Sequence, residues 1–323
     1  MFALDRLERH AEADSPQRQP DSHRRAADGM MWIAGGTFQM GSASFYPEER
    51  PVHAVTVNGF WIDQCAVTHE EFARFIEATG YVTIAERAPR AEDFPGAPPE
   101  NLVPGSMVFQ RRLGPVDLHN YANWWAWVPG ASWRHPRGPH VPLGDLAHHP
   151  VVHVAYEDAI TYAEWAGKDL PTEAEWEFAA RGGLDGAVFP WGNEEFPDGK
   201  AMTNSWQGEF PWQNTLEDGF EGTSPVERYP ANGYGLFDMA GNVWEWTTDA
   251  FDEPSPMAGS ACCPPEPAES GYPRRVIKGG SHLCAPNYCL RYRPAARQAE
   301  TVDTTTSHIG FRCIVRDAEA VST

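Results

Sequence analysis

Leu170-Pro171-Thr172-Glu173-Ala174-Glu175-Trp176-Glu177 is the stretch from which the fold can be read outward. Thr172 followed three positions later by Glu175 is a capping box, in which the threonine side chain and the glutamate satisfy each other's end of the first helical turn. The helix opened there carries Trp176 and Ala179-Ala180 and stops at Gly182-Gly183. Thr68-His69-Glu70-Glu71 repeats the device, opening a helix with Phe72, Phe75 and Ile76 on its apolar face and Gly80 as its stop. A third helix is predicted over 157–166, with Ile160, Ala163 and Ala166 on one face and Gly167 after it. No further long helix is visible. Met31 to Gly41 reads as a strand, a glycine turn and a second short strand, 52–57 alternates like a half-buried strand, and 60–62, 275–278 and 311–315 read as further short strands. Residues 86–150 are rich in Pro, Gly and Trp with little periodicity and read as a long insertion wrapped on the core. The pattern is α+β: a loop-rich single domain with little regular secondary structure, without internal repeats or a linker after residue 31.

Composition narrows the function. The chain has 323 residues, 29 Gly, 29 Pro and 13 Trp, which suits loops held by aromatic anchors and not a helical bundle. A formal net charge of -20 repels phosphate backbones, so no nucleic-acid partner is expected. No apolar run reaches membrane-spanning length, and residues 1–30 are polar, lack the apolar stretch of a secretory signal and read as a disordered tail. Six cysteines, Cys65, Cys262, Cys263, Cys284, Cys289 and Cys313, are too few for a disulfide scaffold; a reducing, cytoplasmic setting is expected.

The chemical signal is Cys284-Ala285-Pro286-Asn287-Tyr288-Cys289. Paired soft thiolates select Cu(I) or Zn, and only two protein ligands suit linear Cu(I) better than tetrahedral Zn. By spacing alone a redox disulfide or two ordinary buried thiols are the commoner reading. Gly279-Gly280-Ser281 before the pair and Arg291-Tyr292-Arg293 after it shift the weight towards a site. Asn204 to Phe220 and Asp238 to Trp246 carry the hard oxygen donors that Ca²⁺ takes, although a turn-rich surface loop explains the first and a tight turn anchored by Trp244 and Trp246 the second. His148, His149 and His153 read as loop polarity and a core histidine, Cys262-Cys263 as an exposed loop, and Cys65 and Cys313 as small buried residues.

Together these segments, with Trp206-Gln207-Gly208-Glu209-Phe210-Pro211, Asn232-Gly233-Tyr234-Gly235-Leu236, Gly241-Asn242-Val243-Trp244-Glu245-Trp246 and Gly310-Phe311-Arg312-Cys313, resemble the formylglycine-generating enzymes of the sulfatase-modifying-factor family, bacterial type. The resemblance implies a catalytic domain over 31–318 and a copper-dependent oxidase that uses molecular oxygen. Such an enzyme converts a cysteine within Cys-x-Pro-x-Arg in an unfolded sulfatase segment to formylglycine. It implies Cys284 and Cys289 as the Cu(I) ligands, Ser281, Trp244 and Tyr288 beside the copper, and Arg297 and His308 at the substrate; His308 stands where the family has Asn. It implies two structural Ca²⁺ sites, at Asn204, Ser205, Asp218 and Phe220 and at Asp238, Gly241, Val243 and Glu245. Ala163, Ala179 and Pro294 replace cysteines of the secreted animal members, so Cys313 is expected as a free thiol in a cytoplasmic monomer. A non-catalytic binding module of the same fold and a thiol-disulfide oxidoreductase are the competing readings. A sulfoxide synthase needs a helical domain for which the segment before Met31 is too short.

Overall fold

The computed structural model describes residues 29–92, 96–141, 144–251 and 273–316; most of the expected tail, and Cys262-Cys263, lie outside the described residues. The chain runs β1 (Met30–Ile33), β2 (Gly36–Met40), β3 (His53–Val57), β4 (Phe60–Asp63), α1 (His69–Thr79), β5 (Gly105–Phe109), β6 (Trp125–Pro129), α2 (Tyr156–Trp165) and α3 (Glu173–Arg181). It continues with β7 (Trp244–Ala250), β8 (Arg274–Lys278), β9 (Arg297–Thr301), β10 (Ile309–Gly310) and β11 (Ile314–Arg316). Strand order is β1-β4-β11 in one sheet and β10-β7-β8-β9 in another, with β2-β3 and β5-β6 as two-stranded ribbons. All described pairings between these strands are antiparallel except β10 with β7. This is the loop-rich α+β architecture expected, and no described helix is long and apolar enough to cross a membrane.

The helix ends follow the local chemistry. Thr68 and Thr172 accept N–H bonds from Glu71 and Glu175, whose carboxylates bond back to the threonines. Gly80 and Gly182 close α1 and α3 at φ 67° and 58°, a left-handed conformation that costs a side chain about 1 kcal/mol or more. The 86–150 segment departs from expectation. Its β5-β6 ribbon pairs five residues with five, and Trp124, Trp125 and Trp133 are buried. It therefore contributes core as well as covering it, which its low periodicity concealed. The strand expected over 311–315 is also displaced: Phe311, Arg312 and Cys313 bridge β10 and β11 because Arg312 turns inward.

α1 and α2 pack Phe72, Phe75 and Tyr162 against Trp133 and Phe311, and the same cluster holds Trp244, Trp246, Cys284 and Cys289. α3 packs Trp176, Ala179 and Ala180 onto β1–β4. Between them runs a line of buried charge. Arg312 places Nε 2.7 Å from Oε2 of Glu245, and Nε1 of Trp176 donates to the same oxygen at 2.7 Å. Lys278, fully buried, donates to Glu177 at 2.9 Å, and Glu177 also accepts from Arg181 at 2.7 Å. Removing one member of such a set leaves an uncompensated charge in low dielectric. Arg312→Met is therefore expected to cost about 3–5 kcal/mol in urea unfolding; a loss below about 1 kcal/mol would show that this line does not hold the halves together.

Candidate active site

The loop 281–293 is set by backbone geometry before side chains act. Gly280 at φ 70° brings the chain so close to Arg291–Tyr292 that a Cβ would stand 2.7 Å from Tyr292 N and 2.8 Å from Arg291 O, so only glycine fits. Cys284 N donates to Ser281 O at 2.9 Å, and Tyr288 N and Cys289 N both donate to Ala285 O, at 3.0 and 2.7 Å. These turns fold the C-x4-C stretch back on itself. The result is two sulfurs 3.4 Å apart, both fully buried, under an exposed Pro286-Asn287 tip. That separation exceeds the roughly 2.05 Å of a disulfide, so no disulfide joins them. Two metal–sulfur bonds of about 2.3 Å span it only with a bend at the ion, and the linear arrangement expected for Cu(I) needs the sulfurs about 1 Å further apart; in donor chemistry the pair fits one soft ion.

Ser281 N donates to Cys284 Sγ at 3.4 Å, and Ser281 Oγ lies 3.3 Å from Nδ1 of His308. Trp244 is buried in the same cluster as both sulfurs. Tyr288, half-buried, stacks on Phe210 at 4.7 Å and meets Trp124 edge-on at 5.5 Å. Tyr292 is buried in the same cluster and donates its hydroxyl to Glu195. The five positions expected around the metal are thus brought together. Arg297 and His308 are turned inward. Arg297 donates to Glu173 at 2.9 Å and to Glu48 O at 3.2 Å, and His308 is fully buried beside Trp125, its pKa held well below the ordinary value by burial and by neighbouring His282 and His153.

One support escaped the sequence reading. Residues 45–49 fold over the segment that follows Cys289. Glu48 pairs with Arg291 and Glu49 with Arg293, all four buried, while Tyr46 and Phe45 lie under the two guanidinium groups at 3.9 and 3.7 Å. Burial and then the nearness of Cys289 push the Tyr46 phenol up to about 12, so it stays neutral. The only signal in sequence was an acidic pair after two aromatics, far from its basic complement.

The two oxygen-donor sets differ. Asn204 is buried and gives its amide N–H groups to Gly222 O at 2.9 Å and Asn242 Oδ1 at 3.3 Å. Asp218 is fixed by Phe220 N at 3.0 Å and by Tyr229. In the second set Asp238 stands at φ 54°, and its Oδ1 is buried without a hydrogen-bond partner; burial pushes its carboxyl up to about 6. A cation there would restore its charge. Glu245 is already engaged by Arg312 and Trp176, although a carboxylate's four lone-pair sites leave one on Oε1.

Among the remaining residues, His153 is a core histidine, bonded to Ser106 Oγ at 2.6 Å and Pro136 O at 2.9 Å, as expected. Cys313 is free and buried, with Ala163 in the same cluster, and burial raises its pKa well above the ordinary thiol value. Cys65 corrects the reading of a small buried residue: it is only partly covered and lies 3.7 Å from Glu227.

With this geometry in hand, comparison decides the family. The model of the sulfatase-modifying factor enzyme 1-like domain matches residues 16–317. The chain belongs to that family. A relative within it, the formylglycine-generating enzyme of Mycobacterium tuberculosis, is 54% identical over 291 residues, 87% of this chain and 96% of its own. The inactive C-alpha-formylglycine-generating enzyme 2 of Mus musculus is 39% identical over 291 residues, 88% of this chain and 84% of its own. Among solved structures, PvdO from Pseudomonas aeruginosa superposes with a TM-score of 0.58 at 27% identity, covering 89% of this chain and 94% of that one.

The family fold here rests on neutral interior histidines. Burial lowers the pKa of His69 to about 3 and of His153 to about 4. Unfolded, both take up protons near 6.5. Below that pH the unfolded chain binds more protons than the folded one, so stability falls from about pH 6.5 towards 4. Urea unfolding at pH 7.5 and 4.5 should show this loss, and His153→Gln should remove on the order of 2 kcal/mol of the difference. An unaltered difference would mean that His153 is not kept neutral.

Proposed function

We propose that the protein is a formylglycine-generating oxidase acting on a cysteine in Cys-x-Pro-x-Arg within an unfolded sulfatase segment. Its co-substrate is molecular oxygen and its cofactor is Cu(I) held by Cys284 and Cys289. The observation that carries this reading is the meeting of those two sulfurs at 3.4 Å, buried and not joined by a disulfide, in a chain 54% identical to a protein named formylglycine-generating enzyme. Bound copper would supply the oxygen chemistry that side chains lack.

The chain's own residues hold and shield. Ser281 N–H steadies Cys284 Sγ, and the Ser281–His308 contact fixes that serine. Trp244, buried in the same core cluster, and Tyr288, half-buried and braced by Phe210 and Trp124, are assigned to shielding the pair. Excluding water protects a reactive centre from side reactions. Arg297 and His308 are assigned to the substrate side by the family resemblance, and with their present partners they act there by shaping the wall. The excess of acidic groups favours an arginine-bearing peptide. The reading includes a cytoplasmic monomer, which the free Cys313 thiol suits.

A Cys-x-Pro-x-Arg peptide incubated with enzyme, Cu(I) and oxygen should show the mass change of thiol to aldehyde. Cys284→Ser and Cys289→Ser should each lower that turnover by at least about a thousandfold while the far-ultraviolet dichroism stays that of the parent. Turnover by either variant near the parental rate would overturn the assignment, and absence of the mass change with the parent would favour a non-catalytic module.

Two Ca²⁺ ions are assigned structural roles, at Asn204, Ser205, Asp218 and Phe220 on the family resemblance, and at Asp238, Gly241, Val243 and Glu245, where the orphaned Asp238 oxygen invites a cation. Calcium added to chelator-stripped protein should raise the melting temperature by several degrees, following the ligand's mass-action term, and Asp218→Ala should halve the gain. A melting temperature indifferent to calcium would remove both sites from the reading.

A further inference from the structure

We propose that Tyr46 is a positioning residue for Cys289: it clamps the peptide that follows this cysteine and so sets the spacing of the two sulfurs. The inference rests on the reading of Cys284 and Cys289 as the reactive pair.

Five of the loop's backbone N–H groups are satisfied within it, while His282 N reaches out to Asn242 O at 3.0 Å. The five, those of Cys284, Tyr288, Cys289, Arg291 and Arg293, donate to carbonyls within the same stretch. The N–H of Leu290, in the peptide directly after Cys289, donates instead to the Tyr46 hydroxyl oxygen at 3.0 Å, across 244 positions of sequence. Tyr46 also carries the next residue: the Arg291 guanidinium lies over its ring at 3.9 Å. Arg291 NH1 is in turn 3.9 Å from Cys289 Sγ, and its other nitrogen bonds Glu48. The Pro47–Glu49 turn holds Tyr46 in place, since Arg50 N closes it onto Pro47 O at 3.2 Å and Arg293 and Arg297 bond Glu49 and the Glu48 carbonyl.

One side chain from the beginning of the domain thus touches both residues that follow Cys289. Cys284 is held differently, by Ser281 N–H and by Trp206 N on its carbonyl. The two sulfurs therefore hang from separate parts of the fold, and their separation depends on the registration between them. Mere packing would need the ring alone. The hydroxyl has a distinct task, because it receives a peptide N–H that has its partner outside the loop.

Tyr46→Phe keeps the ring and deletes that acceptor. An N–H left without its partner shifts a local equilibrium by about tenfold. Two measurements read the sulfur spacing. In metal-free protein, diamide takes two hydrogens from the thiol pair as the disulfide closes, and peptide mapping by mass spectrometry times the Cys284–Cys289 bond. Separately, Cu(I) is titrated against a coloured chelator. Tyr46→Phe should slow closure and weaken Cu(I) binding by about tenfold each, with the melting temperature within a degree or two of the parent. Peptide turnover should then lose kcat with KM unchanged. Glu48→Gln, which loosens Arg291 and leaves the hydroxyl, should give a smaller change in the same direction. Parental closure and affinity in Tyr46→Phe, or losses that only track a lowered melting temperature, would overturn the proposal. If the parent closes its disulfide yet takes up no Cu(I), the copper reading fails and Tyr46 stands or falls on closure rate alone.

Discussion

Guanidinium buried against carboxylate is the interaction on which this structure depends. The sheets are small, most of the chain is loop, and ladders of backbone hydrogen bonds cannot fix the distant parts. Arg312 with Glu245, Arg291 with Glu48, Arg293 with Glu49 and Arg297 with Glu173 each join elements separated by tens to hundreds of residues. An apolar contact of similar area is tolerant of sliding. A forked guanidinium accepts one geometry, and its misplacement strands two charges away from water. That intolerance gives loops a defined register.

Aromatic packing complements this by filling space. Trp124, Trp176, Trp206, Trp244 and Trp246 are all nearly inaccessible, and the ring contacts around Phe72 and Phe210 run edge-on or stacked within about 6 Å. The thiol pair sits at the seam of two such clusters: its cysteines belong to the helix-backed core, while Leu283 and Ala285 beside them belong to the tryptophan-rich one. A reactive pair at a seam inherits rigidity from both sides and still lies one turn of chain from solvent.

Local chemistry was legible in sequence, and distant pairing was not. α1 and α3 could be read to the residue from Thr68, Thr172, Gly80 and Gly182, because capping depends on neighbours three or four positions away. β7 emerged only as an anchored turn: Glu245, Thr247 and Asp249 do alternate with Trp244 and Trp246, but Glu245 and Thr247 are buried rather than solvated. β5 (Gly105–Phe109) and β6 (Trp125–Pro129) were hidden because neither alternates apolar with polar residues. Of the site, the Cys284/Cys289 pair and its Ser281 and Trp244 neighbours could be named, because they lie in or beside recognisable motifs. Phe45, Tyr46, Glu48 and Glu49 could not, because nothing in a single chain states which of its 25 cations will find a given carboxylate.

The acidic excess of the chain survives the burial of its cations. Among the described residues Arg181, Lys278, Arg291, Arg293 and Arg312 are buried together with eight acids, which leaves the chain's balance of 45 Asp and Glu to 25 Lys and Arg close to what it was, nearly two acids for every base. Two copies drifting together meet like-signed fields over most approaches, and dissolved counterions must gather before they can touch. Colloidal stability at low ionic strength, with closer approach as salt shortens the Debye length, thus follows from an acidic excess that the tied interior leaves almost intact.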